Sequence, residues 1–122
     1  MENTPTELFQ KYMDEAIASL PEAHREAIKN VAFFVCDKPT KTQLQKGDVQ
    51  PGSLLLGLYE GVPLTKRQGR TSFLPDTITL FQHPIEQICN TQQELREQIR
   101  HTVWHEVAHY FGLNHDDIHA LE

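Results

Sequence analysis

The chain has 122 residues, of which 39% are hydrophobic and 23% charged, and its formal net charge is −6. This length suits one hydrophobic core, so we expect a single domain over residues 1–122. Because nucleic-acid affinity depends on basic patches that contact phosphates, the acidic charge argues against nucleic acid as a partner.

The sequence shows no export or membrane segment. Residues 1–8 are polar and acidic, and they lack the basic stretch followed by an apolar one that marks a signal peptide. The longest apolar run, residues 31–36, is far shorter than the about 20 residues that cross a bilayer. We therefore expect a cytoplasmic protein in which Cys36 and Cys89 stay reduced, with Cys36 as a small core residue.

Hydrophobic periodicity, turn residues and helix caps predict the elements in chain order. Helices are expected at residues 7–20 with Thr6 as the cap, from Pro21 to residue 28, and as a short turn at 84–89. Strands are expected at residues 30–36, 53–59 and 77–82, whereas the polar segments 40–52 and 64–73 are expected to be loops.

The last predicted element is a long helix that begins after Asn90 or Thr91, with Glu94 placed to complete a capping box. One apolar stripe within an arc of about 120° is predicted to face the core. It consists of Leu95, Ile99, Val103, Val107 and Tyr110. Three short strands with flanking helices predict an α+β domain, in which a small mixed sheet packs against this C-terminal helix.

Residues 105–115, at the end of this helix and beyond it, form the pattern H-E-x-x-H-x-x-G-x-x-H. Four residues advance about 400° and 6 Å along a helix, so His105 and His109 lie on one face and can bind one ion. A catalytic zinc usually takes three protein ligands and keeps an open position. His115 is the predicted third ligand, because Gly112 can adopt the left-handed conformation that turns the chain back.

Glu106 lies about 100° round the helix from the first ligand, a position that suits a base better than a ligand. Zinc lowers the pKa of its bound water to about 7, and a nearby carboxylate can take the proton and later deliver it to a leaving amine. The motif therefore predicts metal-assisted hydrolysis of an acyl bond, with Glu106 as general base. Asp116 is the favoured candidate for orienting a ligating imidazole through a hydrogen bond.

Simpler interpretations of the same residues stay open. Paired histidines on a helix are often surface residues without a metal, and a zinc site can be structural or vestigial. His101 is offset from the ligand pair on the helical wheel, so we expect it to be solvated rather than a fourth ligand.

The pattern at residues 105–115 resembles the motif of the metzincin metalloproteases. Metzincins carry a methionine turn after the third ligand, whereas Met1 and Met13 both precede the motif here, so we expect no complete metzincin. Most of the chain instead resembles the short bacterial zincin-like metallopeptidases, or minimal zincins. Besides the motif, the matching segments are Leu55-Leu56-Gly57-Leu58-Tyr59-Glu60-Gly61-Val62-Pro63-Leu64, Asp76-Thr77-Ile78-Thr79-Leu80-Phe81 followed by Pro84-Ile85, and Thr102-Val103-Trp104.

This resemblance implies a zincin-like α+β fold with Zn²⁺ bound by His105, His109 and His115. It implies Glu106 as the catalytic base and a peptide or protein as the substrate, without naming one. The expected activity is that of a zinc metallopeptidase, which hydrolyses peptide bonds with a metal-activated water.

The substrate contacts are left as alternatives. In zincins a strand above the active-site helix pairs with an extended substrate, and residues 54–59 or 77–82 are the candidates for that strand. Arg67 and Arg70 are candidates for contacting a substrate carboxylate, although exposed loop arginines are more often only solvated.

Two other functions compete with a zinc peptidase. Bacterial endoribonucleases of ribosomal-RNA maturation also space three histidines as H-x3-H-x5-H, but they place no glutamate after the first histidine. A non-catalytic zinc module that binds a partner protein is the third alternative. The full ligand set together with a base argues against it.

Overall fold

The computed structural model describes residues 4–47, 49, 52–61 and 76–112. The elements in these residues are α1 (Thr6–Ala18), α2 (Glu22–Ala27), β1 (Val31–Cys36), α3 (Lys41–Lys46), β2 (Gly57–Glu60), β3 (Asp76–Phe81), α4 (Gln82–Gln87) and α5 (Gln92–Tyr110). The predicted α+β class, with short strands and a long C-terminal helix, is confirmed. None of the helices within these ranges is both long enough and apolar enough to span a bilayer.

The three described strands form one mixed sheet in the order β1-β3-β2. β1 runs parallel to β3, with Val31 opposite Asp76. β2 runs antiparallel to β3, with Gly57 opposite Leu80. β3 is therefore the central strand and pairs along both of its edges. Such a position is buried on both faces, which is why β3 is rich in apolar and β-branched residues.

The main hydrophobic core lies between the sheet and the helices α1 and α5. Side chains with no exposed surface fill its centre: Phe9, Ile78, Leu80, Ile85, Leu95, Ile99, Val103 and Val107. A smaller cluster of Leu55, Leu58 and Phe81 lies apart from it. Successive strand residues point to opposite faces, so neighbouring residues Leu80 and Phe81 belong to different clusters.

The segment 40–52 was expected to be a loop, and that expectation is wrong because it contains α3. Thr40 caps this helix: its hydroxyl oxygen accepts the Gln43 N–H at 3.1 Å, and the Gln43 side chain accepts the Thr40 N–H at 2.9 Å. This reciprocal pair is a complete capping box. Leu44 is the only large apolar residue in α3. The segment therefore has no apolar periodicity, the signal on which the expectation depended.

Three smaller expectations are also corrected. Pro5, not Thr6, occupies the cap position of α1, and no side-chain cap hydrogen bond forms there. Regular pairing in the second strand begins only at Gly57, later than the expected residue 53. Cys36 is exposed rather than in the core, because it follows the core-facing Val35 and so points to the opposite face.

Candidate metal centre

The helix α5 carries His105 and His109 and is capped at its N-terminus. Thr91 Oγ1 accepts the Glu94 N–H at 3.1 Å, and the Glu94 carboxylate accepts the Asn90 N–H at 2.6 Å. Of the two predicted cap residues, Thr91 occupies the cap position. The first bond uses an N–H group that a helix start otherwise leaves without a partner, and the second ties Glu94 to the residue before the cap, so the helix begins at a defined residue.

At its C-terminus α5 ends just before the predicted glycine. Gly112 has a φ of 87°, the left-handed conformation that favours glycine. Its N–H donates to the His109 carbonyl at 2.9 Å, which ties the turn to the second motif histidine of the helix.

Two neighbouring faces of α5 have different environments. The predicted apolar stripe is buried, and its members Ile99, Val103 and Val107 have no exposed surface. His105 and His109 lie beside this stripe and are half-buried. Glu106 lies within the buried arc on the helical wheel, on the side nearer the two histidines, and is only 6% exposed. One face of α5 therefore packs in the core, and the neighbouring face carries the two half-buried imidazoles.

The two histidines of α5 come close together. The ring centroids of His105 and His109 are 4.8 Å apart, with the ring planes inclined at 73°. Their Nε2 atoms are separated by 3.2 Å. Together with a carboxylate oxygen of Glu106, these atoms lie within 4.8 Å of one another.

This spacing fits a zinc ion. Two ligands bound tetrahedrally at about 2.0–2.1 Å from zinc lie about 3.3 Å apart. The Nε2 atoms of His105 and His109 match this separation at 3.2 Å. Neutral imidazole nitrogens are also the ligand type that zinc favours. The separation is therefore compatible with one shared cation, and equally with a hydrogen bond between the two rings.

Glu106 is held by the sheet. Its Oε1 accepts the backbone N–H of Tyr59, in β2, at 2.9 Å. Burial raises the pKa of the Glu106 carboxyl from 4.5 to about 7, and the Tyr59 hydrogen bond opposes part of this rise by favouring the charged form. A carboxyl group with a pKa near neutrality suits a proton acceptor and donor at physiological pH.

The strand β2 approaches α5 at Gly57. A Cβ atom at this position would lie 2.8 Å from Thr102 Cγ2 and 3.2 Å from Glu106 Cγ. Only a residue without a side chain fits this spacing without a shift of its neighbours. Two residues after Gly57, the ring of Tyr59 contacts the ring of Tyr110 edge to face, with centroids 5.8 Å apart.

Several predicted site residues can be placed and others cannot. His101 is exposed, its ring centroid is 6.5 Å from that of His105, and it is not part of the ligand cluster found in the described residues. The predicted third ligand His115, its expected partner Asp116, and the loop arginines Arg67 and Arg70 lie outside the described residues.

Gly57 and the Tyr59 backbone were missed as site residues by the sequence-based reasoning. A glycine inside a strand pattern often marks a close approach of another backbone or a ligand, so Gly57 carried a usable signal. The Tyr59 contribution comes from its N–H, a group that every residue other than proline possesses. No sequence pattern distinguishes it.

The sequence model of the zincin-like metallopeptidase family matches residues 28–122. The chain belongs to this family. Membership indicates a metallopeptidase with a bound metal, usually zinc, and agrees with the ligand spacing on α5. No curated protein matches the chain.

Among solved structures, a conserved hypothetical protein from Thermus thermophilus is similar, with a TM-score of 0.58 and 19% sequence identity. The alignment covers 88% of this chain and 94% of that chain. At this identity the similarity concerns the fold alone. The two chains thus share a fold over most of their lengths.

Proposed function

We propose that this protein is a zinc-dependent peptidase in which His105, His109 and His115 bind the metal and Glu106 is the general base. The observation that carries the proposal is the 3.2 Å approach of two imidazole Nε2 atoms beside a buried carboxylate. Membership of the zincin-like metallopeptidase family supports the assignment of peptide bonds as the substrate class.

A zinc ion bound there would supply Lewis-acid chemistry, lowering the pKa of a water molecule to about 7 and polarising a carbonyl group. The protein must then move one proton. Glu106 Oε1 is held by Tyr59, and we assign Oε2 as the oxygen that accepts the proton from the attacking water. When the C–N bond breaks, the same carboxyl group returns the proton to the leaving nitrogen.

The sheet favours β2 as the strand that receives a substrate. Of the two candidate segments, β3 pairs with β1 along one edge and with β2 along the other, so it offers no edge for a third strand. β2 pairs with β3 along one edge and lies against α5 at Glu106. No other described strand pairs with the opposite edge of β2, and an extended peptide added there would run beside the catalytic groups, with the Tyr59 N–H kept by Glu106.

The strand register determines which backbone groups of β2 point away from β3. The Phe81 N–H donates to the Leu56 carbonyl at 2.9 Å, so opposite residues 56 and 81 form a hydrogen-bonded pair. Such pairs alternate along antiparallel strands, and the backbone groups of Gly57 and Tyr59 therefore point away from β3. The bond from the Tyr59 N–H to Glu106 agrees with this direction.

Metal binding is the first test. We expect purified wild-type protein to contain about one zinc per chain, as a three-histidine site does, and the His109→Ala variant to contain none. His101→Ala is the matched control, because it removes an exposed histidine one helical turn from His105. It should retain the wild-type zinc content. Elemental analysis showing no stoichiometric metal in the wild type would overturn the proposal.

Substrate class is the second test. Wild type and Glu106→Gln, both loaded with zinc, are incubated with a diverse peptide library and separately with structured RNA. We expect cleavage of peptides by the wild type alone, with the variant reduced by about 100-fold or more because it lacks a proton acceptor. RNA cleavage by the wild type would assign the site to a ribonuclease. Equal peptide cleavage by both proteins would remove Glu106 from its assigned role.

A further inference from the structure

We infer that Gly57 is a positioning residue for Glu106, because the absence of a side chain lets β2 lie close enough to α5 for the Tyr59 N–H to hold the carboxylate. The inference rests on the proposed function only in taking Glu106 as the base. It depends on how closely Gly57 in β2 lies to the methyl group of Thr102 and to the side chain of Glu106.

The distances at Gly57 leave no room for a side chain. A Cβ atom would lie 2.8 Å from Thr102 Cγ2, 3.2 Å from Glu106 Cγ and 3.3 Å from the Thr79 carbonyl oxygen. The first contact is shorter than close-packed carbon atoms allow, since their optimal separation is about 3.5–4.0 Å. An added methyl group must therefore push β2 away from α5 or displace Glu106.

Thr102 cannot move aside easily. It is 3% exposed, and its hydroxyl donates to the Gln98 carbonyl at 2.8 Å while accepting the Gln98 side-chain N–H at 3.1 Å. In a β-branched residue the position of Oγ1 also determines that of Cγ2, because both groups are attached to Cβ. Holding the hydroxyl therefore holds the methyl group against Gly57.

The strand cannot slide to relieve the contact either. β2 is in register with β3 along residues 57–60, and a shift of one residue would exchange its two faces. The remaining responses are a tilt of β2 away from α5 and a displacement of the Glu106 side chain. Either one lengthens the 2.9 Å bond to Glu106 Oε1 from the N–H of Tyr59, which lies two residues from Gly57.

The central experiment measures this hydrogen bond without measuring activity. Hydrogen exchange of the Tyr59 amide is followed by NMR in the full chain for wild type, Gly57→Ala and the double variant Gly57→Ala/Thr102→Ser. We expect a protected amide in the wild type and about 10-fold or greater faster exchange in Gly57→Ala. Thr102→Ser removes the methyl group and keeps the hydroxyl, so the double variant should recover most of the protection.

Kinetics give a second readout, using a library peptide that the zinc-loaded wild type cleaves. We expect Gly57→Ala to keep its zinc and its KM and to lose about 10-fold to 100-fold in kcat, because only the orientation of the base changes. The double variant should regain most of the kcat. If Gly57 had only a structural role, Gly57→Ala would lower the fraction of folded protein and would not lower kcat at an unchanged KM. Adding Thr102→Ser would then not restore kcat.

Gly47→Ala is a matched control. A Cβ atom there would lie 2.8 Å from Leu55 Cδ1, the same separation as at Gly57, but its neighbour is the end of a side chain in the smaller cluster. We expect Tyr59 exchange and kcat to match the wild type. If Gly57→Ala does not fold, the double variant is compared with Thr102→Ser alone, and equal Tyr59 protection in the two supports the inference.

The possible failures can be told apart. A Tyr59 amide that stays protected in Gly57→Ala, or that is not recovered in the double variant, overturns the positioning role whatever the protein hydrolyses. A wild type without zinc or peptidase activity overturns the proposed function, while the exchange measurements still test the contact among Gly57, Thr102 and Glu106.

Discussion

The apolar stripe of α5 and the histidine-bearing flank beside it belong to one helix but serve different purposes. Ile99, Val103 and Val107 are fully buried against the core, whereas His105 and His109 are half-buried and their Nε2 atoms lie 3.2 Å apart. The core-facing stripe and the two imidazoles are thus placed about 120° apart on one helix. We therefore expect substitutions in the apolar stripe to change stability more than metal affinity.

Glu106 is the exception to this division. It lies within the buried arc, on the side nearer the histidines, is 6% exposed, and has its pKa raised to about 7 by burial. Burying a charged carboxylate here disfavours folding, whereas a pKa near neutrality favours proton transfer at physiological pH.

Ile99→Ala should lower the stability of the protein through the core-facing stripe of α5. Removing a fully buried isoleucine loses transfer free energy and leaves a cavity, so we expect the free energy of unfolding to fall by about 2–5 kcal/mol. Urea denaturation of the chelator-treated chain measures this loss. His101→Ala, at an exposed position on the same helix, should change stability by less than about 0.5 kcal/mol.

The same Ile99→Ala variant should keep its zinc site where it remains folded. Zinc titration under conditions in which the protein is folded should give a dissociation constant within about 3-fold of the wild type, a difference of about 0.6 kcal/mol. A loss of zinc affinity larger than the loss of stability would show that the two faces of α5 are not independent.

Glu106→Gln should stabilise the metal-free protein at high pH. The carboxyl pKa is 4.5 in its ordinary state and about 7 in the folded chain. The folded protein therefore holds the proton more tightly, so wild-type stability is fully present below pH 4.5 and falls as the pH rises to 7. The shift corresponds to about 3 kcal/mol, and part of it is offset because a buried amide also needs hydrogen-bond partners.

Denaturation of the chelator-treated proteins at about pH 5 and about pH 8 measures this effect. We expect the free energy of unfolding of Glu106→Gln, relative to that of the wild type, to be about 1–3 kcal/mol higher at about pH 8 than at about pH 5. Glu97→Gln replaces an exposed carboxyl group on the same helix and is the matched control for the loss of one carboxylate. Parallel pH profiles for the wild type and Glu106→Gln would contradict the account of Glu106 as a carboxylate destabilised by burial.

The sequence was sufficient to predict α5, because its periodicity, its N-terminal cap and its terminal glycine all indicate one helix. Thr91, Gly112 and the buried stripe lie where these signals place them. The i, i+4 spacing of His105 and His109 likewise predicts their approach from helix geometry alone. Local rules are sufficient wherever the residues that interact are neighbours in sequence.

Long-range contacts could not be predicted in this way. The Tyr59 N–H reaches Glu106 across a separation of 47 residues, and it does so only because β2 takes a particular register beside β3. Neither strand order nor register is encoded in a short pattern. The helix α3 was missed for a different reason: it depends on the Thr40–Gln43 capping box and has almost no apolar side chain.

Thr91→Ala should have the smallest effect of the three variants, and it tests how far rigidity extends along α5. Removing the hydroxyl that accepts the Glu94 N–H should lower the free energy of unfolding by about 1 kcal/mol. Gln92→Ala, at the first helical position, is the matched control and should stay within about 0.5 kcal/mol of the wild type. His105 lies about 14 residues from the cap, about 21 Å along the helix, so fraying at Thr91 should leave zinc affinity unchanged. If Thr91→Ala instead weakened zinc binding, the ligand-bearing end of α5 would depend on the whole helix and not on the core contacts of Val103 and Val107.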